Sequence, residues 1–135
     1  MKTSNIALSL IMLLFFSCSS EAQTGNKQAT NSASNEKIEV IQFHSENRCR
    51  TCLTIEELAR QTVENYSDIS FSLVNVDDKA NEEKADAFEA FGTALFLYNP
   101  ETGAKKELTD FAFMNAGNKE KFIAGLQKEI DQFIE

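Results

Sequence analysis

The chain has 135 residues, 42% hydrophobic and 25% charged, with 13 basic against 21 acidic side chains and a formal net charge of −8. That length and composition suit one soluble domain with a single core and leave too little chain for two. An acidic surface of this kind repels phosphate, which excludes a nucleic-acid partner held by a basic stripe.

The chain opens with "MKTSNIALSLIMLLFFSCSS", in which Lys2 is the only charge ahead of an apolar run from Ile6 to Phe16. About a dozen apolar residues fall short of the ~20 that a spanning helix needs, and the pattern predicts a secretory signal over 1–17. The stretch Phe15–Cys18 resembles a bacterial lipoprotein processing box, although Phe15 and Phe16 stand where a leucine and a small residue are usual. The resemblance implies that Cys18 is lipidated and anchors the protein to a membrane of the cell envelope. Residues 18–37 then form a flexible tether, rich in Ser, Asn, Thr, Gln and Ala, with a reach of roughly 25 Å. The folded domain is expected over 38–135.

"KIEVIQFHS" predicts a covered strand, with Ile38, Val40 and Gln42 on one face and Ile41 and Phe43 on the other. After it comes "HSENRCRTCLTIEELARQ". Cys52, Ile55, Leu58, Ala59, Val63 and Tyr66 recur at helical spacing, so a helix runs from Cys49 to about Asn65 and carries both cysteines on its first turn. With Cys18 assigned to lipid, Cys49 and Cys52 are the two free cysteines. A loop this short restricts the unfolded chain little, which argues against a purely stabilising disulfide.

A thiol at a helix start faces unsatisfied backbone N–H groups and the positive end of the helix dipole, and both favour the thiolate. Cys49 is the exposed nucleophile on this reading, and Cys52, deeper by spacing, resolves the mixed disulfide. Arg48 and Arg50 are candidate thiolate stabilisers, because a cation in a first helical turn opposes the dipole and calls for compensation. A soft-ion clamp built from the same two cysteines, for trivalent arsenic or monovalent copper, remains the alternative. His44 would be its third ligand, although one histidine at a strand end more often packs or hydrogen-bonds.

"ISFSLVNVDD" predicts a second strand over 69–78. "NEEKADAFEAFG" predicts a short helix capped by Asn81 and stopped by Gly92, and "TALFLYNP" a third strand. "ETG" is a turn, "AKKELTD" an antiparallel return strand, and a final helix over 118–133 buries Phe122, Leu126, Ile130 and Phe133. "DFAFMNAG" is read as packing over the hairpin or as an apolar lip facing substrate. The order β-α-β-α-β-β-α makes an α/β fold, a four-stranded mixed sheet with helices on both faces.

This order, with Cys-x-x-Cys opening a helix after the first strand, resembles the thioredoxin-like superfamily over residues 38–135. The stretches "NRCRTCLTIEEL", "VNVDD", "GTALFLY" and "LTDFAFMNAGNKEKFIAGL" further resemble the ArsF family of bacterial thioredoxin-like lipoproteins, whose name is attached to nitrophenyl-compound nitroreductase and aromatic arsenical gene clusters. These resemblances imply an envelope thiol-disulfide oxidoreductase that needs no cofactor. Its partner would be a disulfide-bearing client or a membrane electron donor, with a link to arsenicals or nitroaromatics.

Three departures from the wider thioredoxin pattern bear on that expectation. Arg48 stands where a tryptophan precedes the first cysteine, and Gln42 stands in the place of a buried acid. Gly92 and Thr93 occupy the place of the cis-proline beside the cysteines, which makes Thr93 a candidate site residue and opens the pair to a soft ion.

Overall fold

The computed structural model describes residues 38–135. The predicted signal segment, the Cys18 lipidation site and the tether over 18–37 lie outside the described residues. Strand β1 (Ile38–His44) pairs in parallel with β2 (Ile69–Asn75) and antiparallel with β3 (Ala94–Tyr98), and β3 pairs antiparallel with β4 (Lys105–Glu107). The sheet order is β2-β1-β3-β4. This is the mixed four-stranded sheet expected for a thioredoxin-like fold.

β1 lies inside the sheet because its side chains are apolar on both faces. Ile38 and Val40 join a core with helices α1 (Arg50–Val63), α3 (Thr109–Asn115) and α4 (Lys119–Ile134). Ile41 and Phe43 face the opposite core, built around Phe88, Ala85 and Phe96 beside helix α2 (Glu82–Ala87). Phe43, Phe88 and Phe96 pack with ring centroids 5.2–5.7 Å apart, within the range where aromatic quadrupoles attract. The helices therefore cover both faces of the sheet and hold the C-terminal end of β1, where the cysteine pair follows.

Several boundaries depart from the sequence reading for identifiable reasons. β2 stops at Asn75 rather than at Asp78, because Asn75 and Asp78 bond the local backbone: Asn75 Oδ1 accepts from Asp77 N and Asp78 Oδ1 accepts from Ala80 N. Such Asx contacts turn the chain out of the sheet. Asn81 stands at the N-cap position of α2, as expected, but its side chain makes no capping hydrogen bond. Its side-chain amide donates instead to Asn75 O at 2.9 Å, and a single 3-10 turn over Lys79–Asn81 precedes the helix.

Gly92 does not stop α2. The helix ends at Ala87, Glu89 takes a left-handed φ of 53°, and Glu89 N and Ala90 N bond back to Asp86 O and Ala85 O. This is a Schellman closure with glutamate at the position that glycine usually fills. Ala85 and Ala90, both buried, supply its apolar contact.

The largest difference is α3. The sequence reading carried the return strand to Asp110, but β4 ends at Glu107 and Leu108, Ala112 and Ala116 turn into the core at four-residue spacing. The element order is thus β-α-β-α-β-β-α-α. Helix α4 begins as expected, with Asn118 Oδ1 accepting from Lys121 N at 3.0 Å, and it buries Phe122, Leu126 and Ile130.

α3 approaches α4 closely because Gly125 has no side chain. A Cβ there would stand 2.5 Å from Phe111 Cε2 and 2.7 Å from Cζ. An interior helical Gly→Ala change ordinarily stabilises by about 1 kcal/mol. Here the Phe111 ring is held against Phe122 at 5.5 Å, so it cannot swing away without disturbing the core. Gly125→Ala is expected to destabilise by about 1–3 kcal/mol, as overpacked cores do. Urea unfolding checks the sign, and a rise in midpoint would mean that the ring has room to move.

Candidate active site

Helix α1 starts at Arg50 because Cys49, with extended backbone at φ −74° and ψ 160°, acts as its N-cap. The Cys49 sulfur accepts the N–H of Cys52 at 3.1 Å. Sulfur therefore takes the place that a Ser or Asp oxygen usually fills at a helix start. A donor aimed at this sulfur, with the helix dipole behind it, favours the negative form of Cys49 once the pair is reduced.

Cys49 and Cys52 form a disulfide with Cα atoms 5.2 Å apart. Cys49 is exposed to solvent, whereas Cys52 retains 5% of its accessible surface. The two sulfurs therefore differ in access as the helix spacing predicts, and attack from outside can reach one of them.

Two neighbours fix Cys52. The Thr93 hydroxyl, just ahead of β3, donates to Cys52 Sγ at 3.3 Å. Gln42, fully buried on β1, donates from Nε2 to Cys52 O at 2.9 Å. That carbonyl lies in the first turn of α1, so the bond ties the start of the helix to the central strand. Gln42 Oε1 has no hydrogen-bond partner, and neither do Nε and Nη2 of Arg48 nearby in sequence, a cost that buried polar groups seldom carry. The sequence reading placed Gln42 on this face as a group that cannot titrate. Its bond to the Cys52 backbone follows only from the packing of α1 on β1.

The two arginines behave differently. Arg48 pairs with Glu56 at 2.5 Å, and Glu56 also meets Arg60 at 3.0 Å. Burial by itself would raise the Glu56 carboxyl, but hydrogen bonds and charge from Arg48 and Arg60 outweigh it and leave the group below the usual carboxylate value. Glu56 is the partner that the sequence reading missed. The spacing of four between Glu56 and Arg60 is legible in the sequence and gives the second of these pairs; nothing local marks Glu56 as the partner of Arg48. Arg50 is exposed and has no ion pair among the described residues.

His44 bonds locally, with Nδ1 2.9 Å from Ser45 O. Among the described residues no group of three or more His, Cys, Asp or Glu side chains is placed to hold a metal ion. "DFAFMNAG" forms most of α3, and Phe113 borders a groove of about 300 Å³ with Arg50, Thr51, Thr54, Ala116 and Gly117. It is thus both core, through Ala112, and surface, through Phe113 and Met114.

No protein-family model and no curated protein matches this chain. Among solved structures, it is similar to one described as "Structure of a malarial protein", at 20% identity over 58% of this chain and 94% of that one, with a TM-score of 0.42. It is also similar to thioredoxin f2 of Chlamydomonas reinhardtii, at 20% identity over 62% of this chain and 82% of that one, with a TM-score of 0.43.

Proposed function

We propose that this chain is a thiol-disulfide oxidoreductase of the cell envelope, working through Cys49 and Cys52. One observation carries the reading: an exposed Cys49 sulfur at the N-terminus of α1 accepts a backbone N–H and is disulfide-bonded to a buried Cys52.

In the reducing direction, the Cys49 thiolate attacks one sulfur of a client disulfide and releases the other as a thiolate. Cys52 then attacks the Cys49 sulfur of the mixed disulfide. The second client thiolate leaves, the Cys49–Cys52 disulfide re-forms, and two electrons have passed to the client. The Thr93 hydroxyl supports the Cys52 thiolate during the second step. Arg50 adds positive charge to the first turn of α1, and Arg48, anchored on Glu56, adds a second cation just ahead of it. The reverse sequence oxidises a client dithiol. The pair itself carries the electrons, so no further cofactor enters, and a membrane electron donor or a disulfide-bearing client closes the cycle.

The amino-terminal apolar run and Cys18 support a lipid-anchored location in the envelope of a bacterium. The ArsF resemblance supports clients among proteins that handle arsenicals or nitroaromatics.

The deciding experiment is a redox titration of the full chain, read by the mass added on thiol alkylation. A two-electron couple between roughly −270 and −120 mV is expected for an exchange enzyme. A pair that does not cycle, yet is shielded from alkylation by arsenite or cuprous ion, would overturn this reading in favour of soft-ion capture.

A further inference from the structure

The helix start at Cys49 is cationic. Arg48 stands just ahead of it, Arg50 just after it, and the first turn of α1 holds no acidic residue. Glu56 is the first carboxylate along the helix. It follows Cys49 by seven positions, close to two full turns, so it lies on the same helix face about 10 Å further along the axis.

Both oxygens of this carboxylate are engaged. Oε2 meets Arg48 Nη1 at 2.5 Å, and Oε1 accepts from Arg60 Nε and meets Arg60 Nη2, each at 3.0 Å. Arg60 in turn lies over the Phe71 ring of β2, 4.5 Å from its centroid. The border of the sheet thus holds Arg60, Arg60 holds Glu56, and Glu56 holds Arg48. Arg48 has no second hold: its Nε and Nη2 are buried without a partner among the described residues. One contact therefore decides where this guanidinium sits. Stability does not account for the arrangement, since a cation with buried N–H groups left unpaired is destabilising.

The other titratable or charged groups on the segments flanking Cys49 are His44, Glu46 and Arg50, with Asp77 accepting from Glu46 N at 2.8 Å. Asp110 lies at the start of α3. Among the described residues none of these pairs with Arg48. Burial would raise the Glu56 carboxyl, but its two guanidinium partners hold it below the usual carboxylate value, so it is charged wherever Cys49 titrates.

Resting on the redox reading above, we propose that Glu56 is a positioning residue for the cysteine couple: it pins the Arg48 guanidinium against α1 and offsets part of the positive charge that favours the Cys49 thiolate. The thiolate exists only in the reduced chain, so this carboxylate disfavours the reduced form and leaves the disulfide unaffected. The couple is thereby held toward its reducing side.

The pH dependence of Cys49 alkylation on the reduced full chain reads the thiolate directly, with mass spectrometry separating Cys49 from Cys52. Glu56→Gln keeps the shape of the side chain and an oxygen for the arginines but removes the charge. Its alkylation midpoint is expected to fall by about half a pH unit, roughly a threefold rise in the thiolate-to-thiol ratio, and the gap shrinks at high salt. Arg48→Met tests the same balance from the other side: it raises the midpoint, and the double variant lies between the two. Glu57→Gln removes an equal charge from the next position, where the carboxylate accepts from Gln61 and meets no arginine among the described residues. It shifts the midpoint by less than half as much. Equilibrium with glutathione follows the same order, with a rise of up to about 14 mV for Glu56→Gln, the same threefold at about 30 mV per tenfold. A midpoint that stays put on Glu56→Gln leaves Glu56 a packing role and overturns the inference. So does an equal shift from Glu57→Gln, which would make net charge the cause, or a fall on Arg48→Met. A pair that never cycles would overturn the redox reading yet leave the alkylation midpoints readable, so the two failures are told apart.

Discussion

Cys49→Ser is expected to bring disulfide exchange down to the uncatalysed rate, whereas Cys52→Ser leaves a chain that still attacks and then stalls. The asymmetry follows from access and from the helix end. Cys49 is exposed and its sulfur receives the Cys52 N–H, so it is the sulfur able to reach a client and the one whose thiolate is favoured. Removing it removes the attack. Cys52 is buried beneath the Thr93 hydroxyl and cannot meet a client directly, but it can meet a Cys49 sulfur that is already bonded to one. Without it the mixed disulfide has no intramolecular exit and accumulates. The check is an envelope extract incubated with Cys52→Ser and separated without reductant. Adducts that disappear on adding a thiol are the expected result, and a chain that emerges without partners would count heavily against the enzyme reading.

Gln42→Glu is expected to add a strong pH dependence to the stability of the chain. Gln42 is fully buried and donates to Cys52 O at 2.9 Å. A protonated glutamic acid has nearly the same shape and can donate to the same oxygen, so the variant should resemble the native chain at low pH. Burial raises such a carboxyl by about 3 units or more above its unfolded value of about 4.3. Above pH ~4.3 the unfolded chain therefore ionises while the folded chain does not, and stability falls by about 1.4 kcal/mol per pH unit. The fall continues until pH rises through the folded value, near 7 to 8, for a total of about 4 kcal/mol. Urea unfolding at about pH 5 and about pH 8 measures it, with Gln42→Leu as the variant that cannot titrate. If both variants lose the same stability at both pH values, the site admits water and the burial argument fails.

Much of this architecture was legible in the residue pattern. β1 declared itself by apolar side chains on both faces, and α1 and α4 by recurrence at three and four residues, because burial on a sheet imposes those periods directly. α3 was hidden because Leu108–Asp110 could continue a return strand. Only the burial of Leu108, Ala112 and Ala116 together decides for a helix. The end of α2 was hidden for a different reason. A left-handed residue is usually glycine, Gly92 lay close by, and Glu89 bears that conformation instead. At the site, the cysteine spacing and helix start could be read from sequence, as could the relative depth of the two sulfurs. The pairing of Arg48 with Glu56, eight positions away and from outside the helix, depends on how the loop after β1 folds back. No local period encodes it.

The two borders of the sheet have unequal consequences for self-association. β4 is three residues long and reads Lys-Lys-Glu, so its outer edge offers a short, charged template on which a foreign strand gains few hydrogen bonds. β2 occupies the other border for seven residues, and among the described residues no strand pairs with its outer side. Growth of the sheet by strand addition, whether orderly assembly or the first step of fibre formation under stress, is therefore directed to β2. Charge placed on that border would protect the protein in storage at a distance from the reactive sulfurs.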